Sequence, residues 1–244
     1  MATAEHVEAQ CLWDFWALRV DCRECRAQAG TPFAAVGPQR LGRLLLKVEN
    51  FVPPADVEVY KAGETADALF TIRRGFIKIW AEDELGHSRI LRLLGPGDML
   101  GLEALLQPHY DRNATTLTPA GLCRIPVDTL ADLLYREPAL YTQLQQRWLS
   151  QLRRSDDFLV KVATGSSRER VLKLLRCLAE FAHPNVCPRV SRNDMAAMLD
   201  ISSETAARVI ATLKRRGSLV ETDSELRFDP DRLSLQRSRA PART

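Results

Sequence analysis

The residues in this chain best suited to chemistry are three cysteines close to its start. Cys11, Cys22 and Cys25 lie within fifteen residues, and the last two form a C-x-x-C pair. Cysteine thiolates are the usual ligands of iron–sulfur clusters, and a C-x-x-C pair can also form a redox disulfide. A cysteine can equally pack as a small apolar side chain. The three cysteines alone leave a metal or cluster site, a redox disulfide and ordinary packing all open.

The composition favours metal or redox chemistry over a structural disulfide. Of the 244 residues, 45% are hydrophobic and 27% charged, which is typical of soluble proteins. The sequence contains no run of about 18 apolar residues, so no membrane helix is predicted, and residues 1–10 lack the apolar core of a signal peptide. We therefore expect a cytoplasmic protein without a membrane partner, in a compartment where thiols stay reduced.

The charge of the chain is divided unevenly. Residues 165–244 carry 15 basic and 10 acidic side chains, a net charge of +5, whereas residues 1–164 carry 19 and 21, a net charge of −2. A basic C-terminal third indicates an anionic partner, with nucleic acid as the first candidate.

Residues 51–127 have the pattern of a β domain. Short apolar segments such as "ALFTIRRGFIKIWA" alternate with glycine turns, and "GPGD" at 95–98 is a strong turn signal. This rhythm predicts a compact antiparallel barrel or sandwich.

Residues 138–163 change to a helical period. Apolar residues at steps of three and four predict one long helix that begins at Pro138. The stripe is typical of a coiled-coil dimer seam, although a helix packed on its own domain has the same pattern. The predicted seam consists of Leu144, Trp148, Leu152, Ser155, Leu159 and Val162.

The remaining residues, from 164 onward, predict helices followed by a hairpin. "SRNDMAAMLD" starts with a capping box at Ser191 and Asp194, and a tight turn at Asp200 leads into "ISSETAARVIATLKRRG". The alternating "LVETDSELRF" then predicts a small hairpin. Two short helices, a tight turn and a hairpin describe a winged helix-turn-helix.

The chain resembles the Crp/Fnr family of bacterial transcription regulators from about Cys22 to Leu235. The resemblance rests on an ordered set of motifs: "KAGETADALFTIRRGFIKIW", "LLGPGDMLGLEAL", "GLCRIPVDTL", the long helix and "ISSETAARVIATLKRRGSL". It implies an α+β fold, with a cyclic-nucleotide-binding-like β-roll (jelly roll), a dimerisation helix and a C-terminal winged helix-turn-helix. The expected parts are a cysteine segment (1–35), the roll (36–137), the dimerisation helix (138–163), the DNA-binding domain (164–235) and a disordered tail (236–244).

The predicted recognition helix carries its polar residues on one outward face. Ser203, Glu204 and Arg208 lie near its N-terminus, the end that enters the major groove. Arg208 can donate two hydrogen bonds to guanine and Glu204 can accept one from cytosine, and the resemblance implies these roles. The alternative is a solvated Glu–Arg helix pair. The residues better placed for phosphates are Thr205, Lys214, Arg215 and Arg216.

Two departures from the family pattern limit what the resemblance implies. Ala207 stands where FNR proper has a serine that reads an outer base, so the outer bases stay open. In the cassette that binds cyclic AMP in Crp-type proteins, Gly101 and Arg112 match, but Leu102 replaces the ribose-binding glutamate and Glu103 comes one place late. In an extended segment, a shift of one residue reverses the side chain, so we do not expect a cyclic nucleotide as the effector.

FNR-type sensors instead hold a 4Fe–4S cluster, and the resemblance extends to that site. Cys22 and Cys25 match the cysteine pair and Cys123 matches the β-roll cysteine. No cysteine follows the pair closely, so Cys11 is the available fourth ligand. The expected protein is a homodimeric regulator, not an enzyme, that binds palindromic double-stranded DNA and senses oxygen or nitric oxide, with RNA polymerase as a partner implied by resemblance. The alternatives are a Cys22–Cys25 disulfide switch, a haem, or a small-molecule effector.

Overall fold

The computed structural model describes residues 48–180, 186–223 and 225–228. The chain divides into two compact units, Met1–Asp156 and Asp157–Thr244. The division falls inside the range predicted to form one long helix.

The described part of the first unit contains two four-stranded antiparallel sheets. One has the order β1-β8-β3-β6 and the other the order β2-β7-β4-β5. The strands are β1 (Glu49–Phe51), β2 (Glu58–Tyr60), β3 (Ala68–Arg74), β4 (Ile77–Glu82), β5 (Ser88–Leu94), β6 (Met99–Leu100), β7 (Asn113–Thr116) and β8 (Gly121–Pro126). The predicted sandwich is therefore present.

The strand β3 is apolar over most of its length because both of its faces are buried. Its residues Phe70 and Ile72 join the core between the sheets, whereas Leu69 joins a second cluster on the outer face. Successive side chains of a strand point to opposite faces, so one run of apolar residues supplies two cores. The sheet thus has helices on one side and its partner sheet on the other.

Two helices form the second cluster with that outer face. The helix α1 (Val127–Arg136) follows β8 directly, and α2 (Ala139–Asp157) begins immediately after Pro138. Leu130, Leu133, Leu140 and Leu144 pack with Leu69, Met99 and Ile125 of the sheet.

The helical segment changes its hydrogen bonding after α2. Residues Phe158–Val162 form a π-helix, in which the Ala163 N–H donates to the Phe158 carbonyl at 2.9 Å. A spacing of apolar residues does not distinguish i+4 from i+5 bonding, so the pattern predicted a single uninterrupted helix.

The second unit has the elements predicted for a winged helix-turn-helix. They are α3 (Ser167–Glu180), β9 (Val186–Pro188), α4 (Arg192–Leu199), α5 (Ser203–Arg215), β10 (Leu219–Glu221) and β11 (Glu225–Phe228). The capping box is confirmed, because the Asp194 N–H donates to Ser191 Oγ at 3.0 Å. The tight turn is confirmed as well, since Asp200 adopts a left-handed conformation with φ 54° and ψ 53°. The strands form one antiparallel sheet in the order β10-β11-β9.

Candidate DNA-binding and effector sites

The N-terminus of α5 is fixed by its own side chains. Ser202 is the N-cap, and its Oγ accepts a hydrogen bond from the Thr205 N–H at 3.1 Å. Ala206, Ile210 and Leu213 are buried on the inward face of the helix. Burial of this face leaves the polar residues of the first turn outside.

The outward face carries the residues predicted to read bases. Ser203, Glu204 and Arg208 are all exposed. The Arg208 Nη2 donates to Thr205 Oγ1 at 3.2 Å, so the guanidinium leans back over the first turn. A helical side chain covers the turn that precedes it, which brings Arg208 and Glu204 to the same end of α5. Thr205, predicted as a phosphate contact, uses its hydroxyl within the cap.

The residues predicted to contact phosphates differ in their surroundings. Lys214 Nζ lies 3.0 Å from Glu221 Oε2 on β10, and Arg192 Nη2 lies 2.7 Å from Glu221 Oε1. Burial alone would raise the pKa of Glu221, but the bonds and charges of Lys214 and Arg192 outweigh it and lower that pKa. Arg215 and Arg216 are exposed. Lys214 therefore links α5 to β10 through its ion pair with Glu221, whereas the charged groups of Arg215 and Arg216 are exposed to solvent.

The predicted dimer seam divides into exposed and covered residues. Trp148, Leu152 and Leu159 are 52%, 54% and 64% exposed. Leu144 belongs to the second cluster of the first unit, and Val162 is also buried. Leu144 and Val162 therefore already have packing partners within one chain, whereas Trp148, Leu152 and Leu159 are each exposed to solvent.

Polar contacts that the sequence analysis missed join α2 to the strand β6. Gln151 is buried, and its Nε2 donates to the Met99 carbonyl at 2.9 Å. Arg154 forms an ion pair with the buried carboxylate of Asp98, which also accepts a hydrogen bond from the Gly95 N–H. The sequence carries no local signal for these two contacts, because their partners are 52 and 56 residues apart.

A cavity of about 930 Å³ lies between the roll and α2. Its walls come from β4, β5, residues 99–112, α1 and α2, and we call it the roll–helix cavity. The predicted effector residues Gly101 and Arg112 both line it. Its volume lies in the range of about 300–1,000 Å³ that is typical of ligand sites. Burial, and next the charge of Glu103, raise the pKa of the lining Tyr60, which stays a neutral phenol.

The backbone at Leu102 and Glu103 is not extended, so the expectation that a shift of one residue reverses the side chain was wrong. Residues Leu102–Leu105 form a 3-10 turn rather than extended chain, and both Leu102 and Glu103 line the cavity. The turn begins at Gly101. Glycine is required at this position because φ is 76° and an added Cβ would lie 2.9 Å from the Ala68 carbonyl oxygen. The shift of one residue therefore does not turn the Glu103 side chain away from the cavity.

Cys123 lies on the outer face of the first sheet. It is 8% exposed, and its Sγ donates to the side-chain oxygen of Asn50 at 2.9 Å. Asn50 is its register partner on β1, and Thr71 is its partner on β3. Cys11, Cys22 and Cys25 lie outside the described residues, so the predicted ligand set stays a prediction.

The other described cysteines have the surroundings of packing residues. Cys187 is fully buried, and burial raises the pKa of its thiol to about 12, which keeps it protonated. Cys177 is partly buried on α3. Within residues 48–180, 186–223 and 225–228, no group of three or more His, Cys, Asp or Glu side chains is arranged to hold a metal ion.

Comparison with known proteins identifies the fold that carries these sites. Residues 53–137 match the family of cyclic nucleotide-binding domains. The fumarate and nitrate reduction regulatory protein of Escherichia coli K12 is 26% identical over 208 residues, which cover 82% of this chain and 83% of that protein. FixK2 from Bradyrhizobium japonicum superimposes with a TM-score of 0.65 at 20% identity, over 76% of this chain and 95% of that chain. A CRP/FNR-family transcriptional regulator from Thermus thermophilus gives a TM-score of 0.59 at 23% identity, over 76% and 96%. This chain has the Crp/Fnr fold.

The Crp/Fnr fold confirms the resemblance and the fold class that the sequence predicted. The cyclic nucleotide-binding domain supplies most of the residues that line the roll–helix cavity, α2 supplies the others, and the second unit carries α5. Among the described residues, no helix is both long and apolar enough to span a membrane.

Proposed function

We propose that this chain is a homodimeric, sequence-specific DNA-binding transcription regulator. The observation that carries the proposal is the exposed polar face at the capped start of α5, in a chain with the Crp/Fnr fold. The names of its relatives support the same class, since the Escherichia coli protein is a regulator of fumarate and nitrate reduction.

The first turn of α5 supplies the base-reading chemistry. Arg208 donates two parallel N–H groups to guanine O6 and N7, and Glu204 accepts from the N4 amine of cytosine. Ser202 and Thr205 hold this turn in shape, so both charged side chains are presented at the end of α5 that enters the major groove. Each half-site therefore contains a G·C core, and the bases outside it stay open because Ala207 carries no polar group.

The dimer forms along the exposed apolar residues of the predicted seam. Trp148, Leu152 and Leu159 recur at spacings of four and seven, which a parallel partner helix can cover. Two symmetric copies of α5 require a palindromic site, with half-sites about one helical turn apart.

A gel shift with such a palindrome tests this part of the proposal. We expect a complex that contains two chains and loses affinity when either half-site is scrambled. Equal binding to scrambled DNA would contradict sequence-specific recognition.

We further propose that Cys11, Cys22, Cys25 and Cys123 hold a 4Fe–4S cluster. Cys123 supports this proposal because it is the register partner of Asn50 on β1, the described strand that is nearest in sequence to the three N-terminal cysteines. When bound, such a cluster supplies a centre sensitive to oxygen or nitric oxide.

The residues of this chain connect Cys123 to the dimer helix. Cys123, Thr71 and Met99 are register partners across three neighbouring strands, so they share one face of the sheet. With strands about 4.8 Å apart, the row spans about 10 Å. It ends at the Met99 carbonyl that accepts from Gln151 of α2. We propose that this row of register partners couples a change at Cys123 to α2.

Iron and acid-labile sulfide analysis after anaerobic purification tests the cluster. We expect about four of each per chain, the usual content of such a cluster, and loss of both in Cys123→Ser. Unchanged content in Cys11→Ser would remove Cys11 from the ligand set. A colourless wild-type protein whose thiol titre falls by two on mild oxidation would favour the Cys22–Cys25 disulfide instead.

The roll–helix cavity favours a second candidate, a regulator controlled by a small molecule. Calorimetric titration with cyclic AMP and cyclic GMP tests the ligand class implied by the domain family. This candidate predicts saturable binding of one of the two nucleotides, and the absence of any heat of binding for both would exclude them as the effector. Saturable binding would make the nucleotide the effector.

A further inference from the structure

Arg170 on α3 has a guanidinium group that is bound to backbone carbonyls of the second unit. Its Nη1 donates to the carbonyl oxygen of Leu199 and, at 3.4 Å, to that of Asp200. Its Nε is buried, and among the described residues no acceptor bonds to it. A polar group that is removed from water in this way is costly unless its other bonds compensate, so the contacts with Leu199 and Asp200 determine whether this side chain is tolerated.

The two carbonyls belong to the end of α4. Leu199 is the last residue of that helix, and Asp200 is its C-cap in the left-handed conformation. The Ala196 carbonyl accepts from the Asp200 N–H and, at 3.3 Å, from the Ile201 N–H. The last carbonyls of a helix have no partner within the helix and form the negative end of its dipole, so a cation is favoured there. Arg170 therefore links α3 to the turn between α4 and α5.

This turn determines where the predicted recognition helix begins. Residues 200–202 join α4 to α5, and Ser202 caps α5. Because the connection is so short, a shift of the Asp200 backbone also moves the first turns of α5. Glu204 and Arg208 lie in those turns, and groups that read bases must be held within about 0.5 Å of their productive geometry.

We propose that Arg170 is a positioning residue for DNA recognition, which holds the turn between α4 and α5 so that Glu204 and Arg208 reach the base edges together. It lies on α3, outside the helix that enters the major groove, and acts through the turn rather than by contact with DNA. This role rests on the proposed function. The link between α3 and the turn does not, and it is tested without DNA.

Two substitutions of Arg170 and one control separate this role from a general loss of charge. Arg170→Met keeps an apolar side chain but removes every donor, whereas Arg170→Lys keeps the charge and can still donate to a carbonyl. The matched control is Arg168→Met, because Arg168 is also a partly buried arginine of α3 and lies two residues away, on a different side of the helix.

Hydrogen exchange measured by NMR without DNA tests the link to the turn. The probes are the Asp200 N–H, which donates to the Ala196 carbonyl, and the Thr205 N–H, which donates to Ser202 Oγ. We expect both to exchange about tenfold faster in Arg170→Met than in the wild type and in Arg168→Met, because the turn opens locally. Equal exchange rates in the three proteins would overturn the proposal. Arg170→Lys should lie between, and it decides both measurements if Arg170→Met does not fold.

Fluorescence anisotropy tests the effect on DNA under conditions in which urea unfolding shows each variant to be folded. The quantity compared is the ratio of affinities for the palindrome and for the same site with its core guanines replaced. Arg170→Met should lower this ratio by about tenfold or more, because a misplaced bidentate contact no longer discriminates. Arg170→Lys should recover part of the ratio, and Arg168→Met should keep the wild-type value. The slope of log affinity against log salt should be the same in Arg170→Met and Arg168→Met, because neither loses a phosphate contact.

The possible results distinguish this role from its alternatives. A wild-type ratio in folded Arg170→Met would overturn the proposal and leave Arg170 as a contact that only stabilises the fold. A salt slope lower by about 1 than in Arg168→Met would also overturn it, since Arg170 would then contact a phosphate itself. A wild-type protein that does not distinguish the two sites would refute the proposed function and this role in DNA recognition with it, whereas faster exchange in Arg170→Met would still establish the link to the turn.

Discussion

Replacement of Arg208 by alanine separates DNA recognition from folding. Arg208 is exposed, and its hydrogen bond to Thr205 is at the surface, so we expect the free energy of unfolding to change by less than about 0.5 kcal/mol. A bidentate arginine–guanine contact contributes about 1–3 kcal/mol of discrimination. A dimer on a palindrome loses two such contacts, about 2–6 kcal/mol, which corresponds to affinity weaker by roughly 30-fold to 20,000-fold.

Fluorescence anisotropy at fixed salt measures this loss on the intact palindrome and on one whose core guanines are replaced. The wild type should distinguish the two sites, and Arg208→Ala should bind both with similar weak affinity. The matched control is Arg216→Ala at the other end of α5. It should weaken binding to both sites alike and lower the slope of log affinity against log salt by about 1 per contact.

The reasoning about Arg208 is refuted if Arg208→Ala still prefers the guanine-containing site to the same degree as the wild type. A cooperative unfolding transition like that of the wild type excludes misfolding as the cause of weak binding.

Four further changes test other parts of the account. Gln151→Leu should lower the free energy of unfolding in urea by about 1–3 kcal/mol, because it leaves a buried carbonyl oxygen of β6 without its donor, whereas Gln145→Leu on the exposed face should not. Gly101→Ala should lower it by about 1–3 kcal/mol, because φ is 76° and the new Cβ would lie 2.9 Å from a β3 carbonyl oxygen. Leu152→Asp should halve the mass measured by light scattering, because it places a charge in the seam. The ion pairs of Glu221 should stabilise the second unit fully above pH about 4.5 and be lost as pH falls through the lower folded pKa, so Glu221→Gln should flatten thermal stability between pH 5 and 3.

These predictions have distinct contradicting outcomes. Equal unfolding in the two glutamine variants would mean that the bond to β6 is energetically unimportant. A wild-type unfolding midpoint for Gly101→Ala would show that the turn adapts. A dimer of Leu152→Asp would place the interface elsewhere, and identical pH profiles would show that Glu221 is not a pH-dependent stabiliser.

Local signals were sufficient to predict most of the fold. Ser191 and Asp194 form a helix cap and Asp200 forms a turn through contacts between residues close in sequence, so both features can be predicted from a single sequence. The β domain was equally predictable, because glycine turns and the apolar residues of strands buried on both faces form a recognisable pattern in the sequence.

Contacts between residues distant in sequence were not predictable in this way. Arg154 pairs with Asp98, 56 residues earlier, and no residue close to either of them in sequence indicates that contact. Leu144 was assigned to the seam, and its packing against the roll depends on where the sheet lies. The position of Glu103 was misjudged because the sequence does not specify whether residues 102–105 are extended or form a 3-10 turn.

Selection of bound DNA from a random library by the full-length protein tests the central claim most directly. The account predicts enrichment of one palindrome whose half-sites each contain a G·C core and lie about 10 base pairs apart, centre to centre. Enrichment without a palindrome, or no enrichment over the starting library, would contradict a dimeric, sequence-specific regulator.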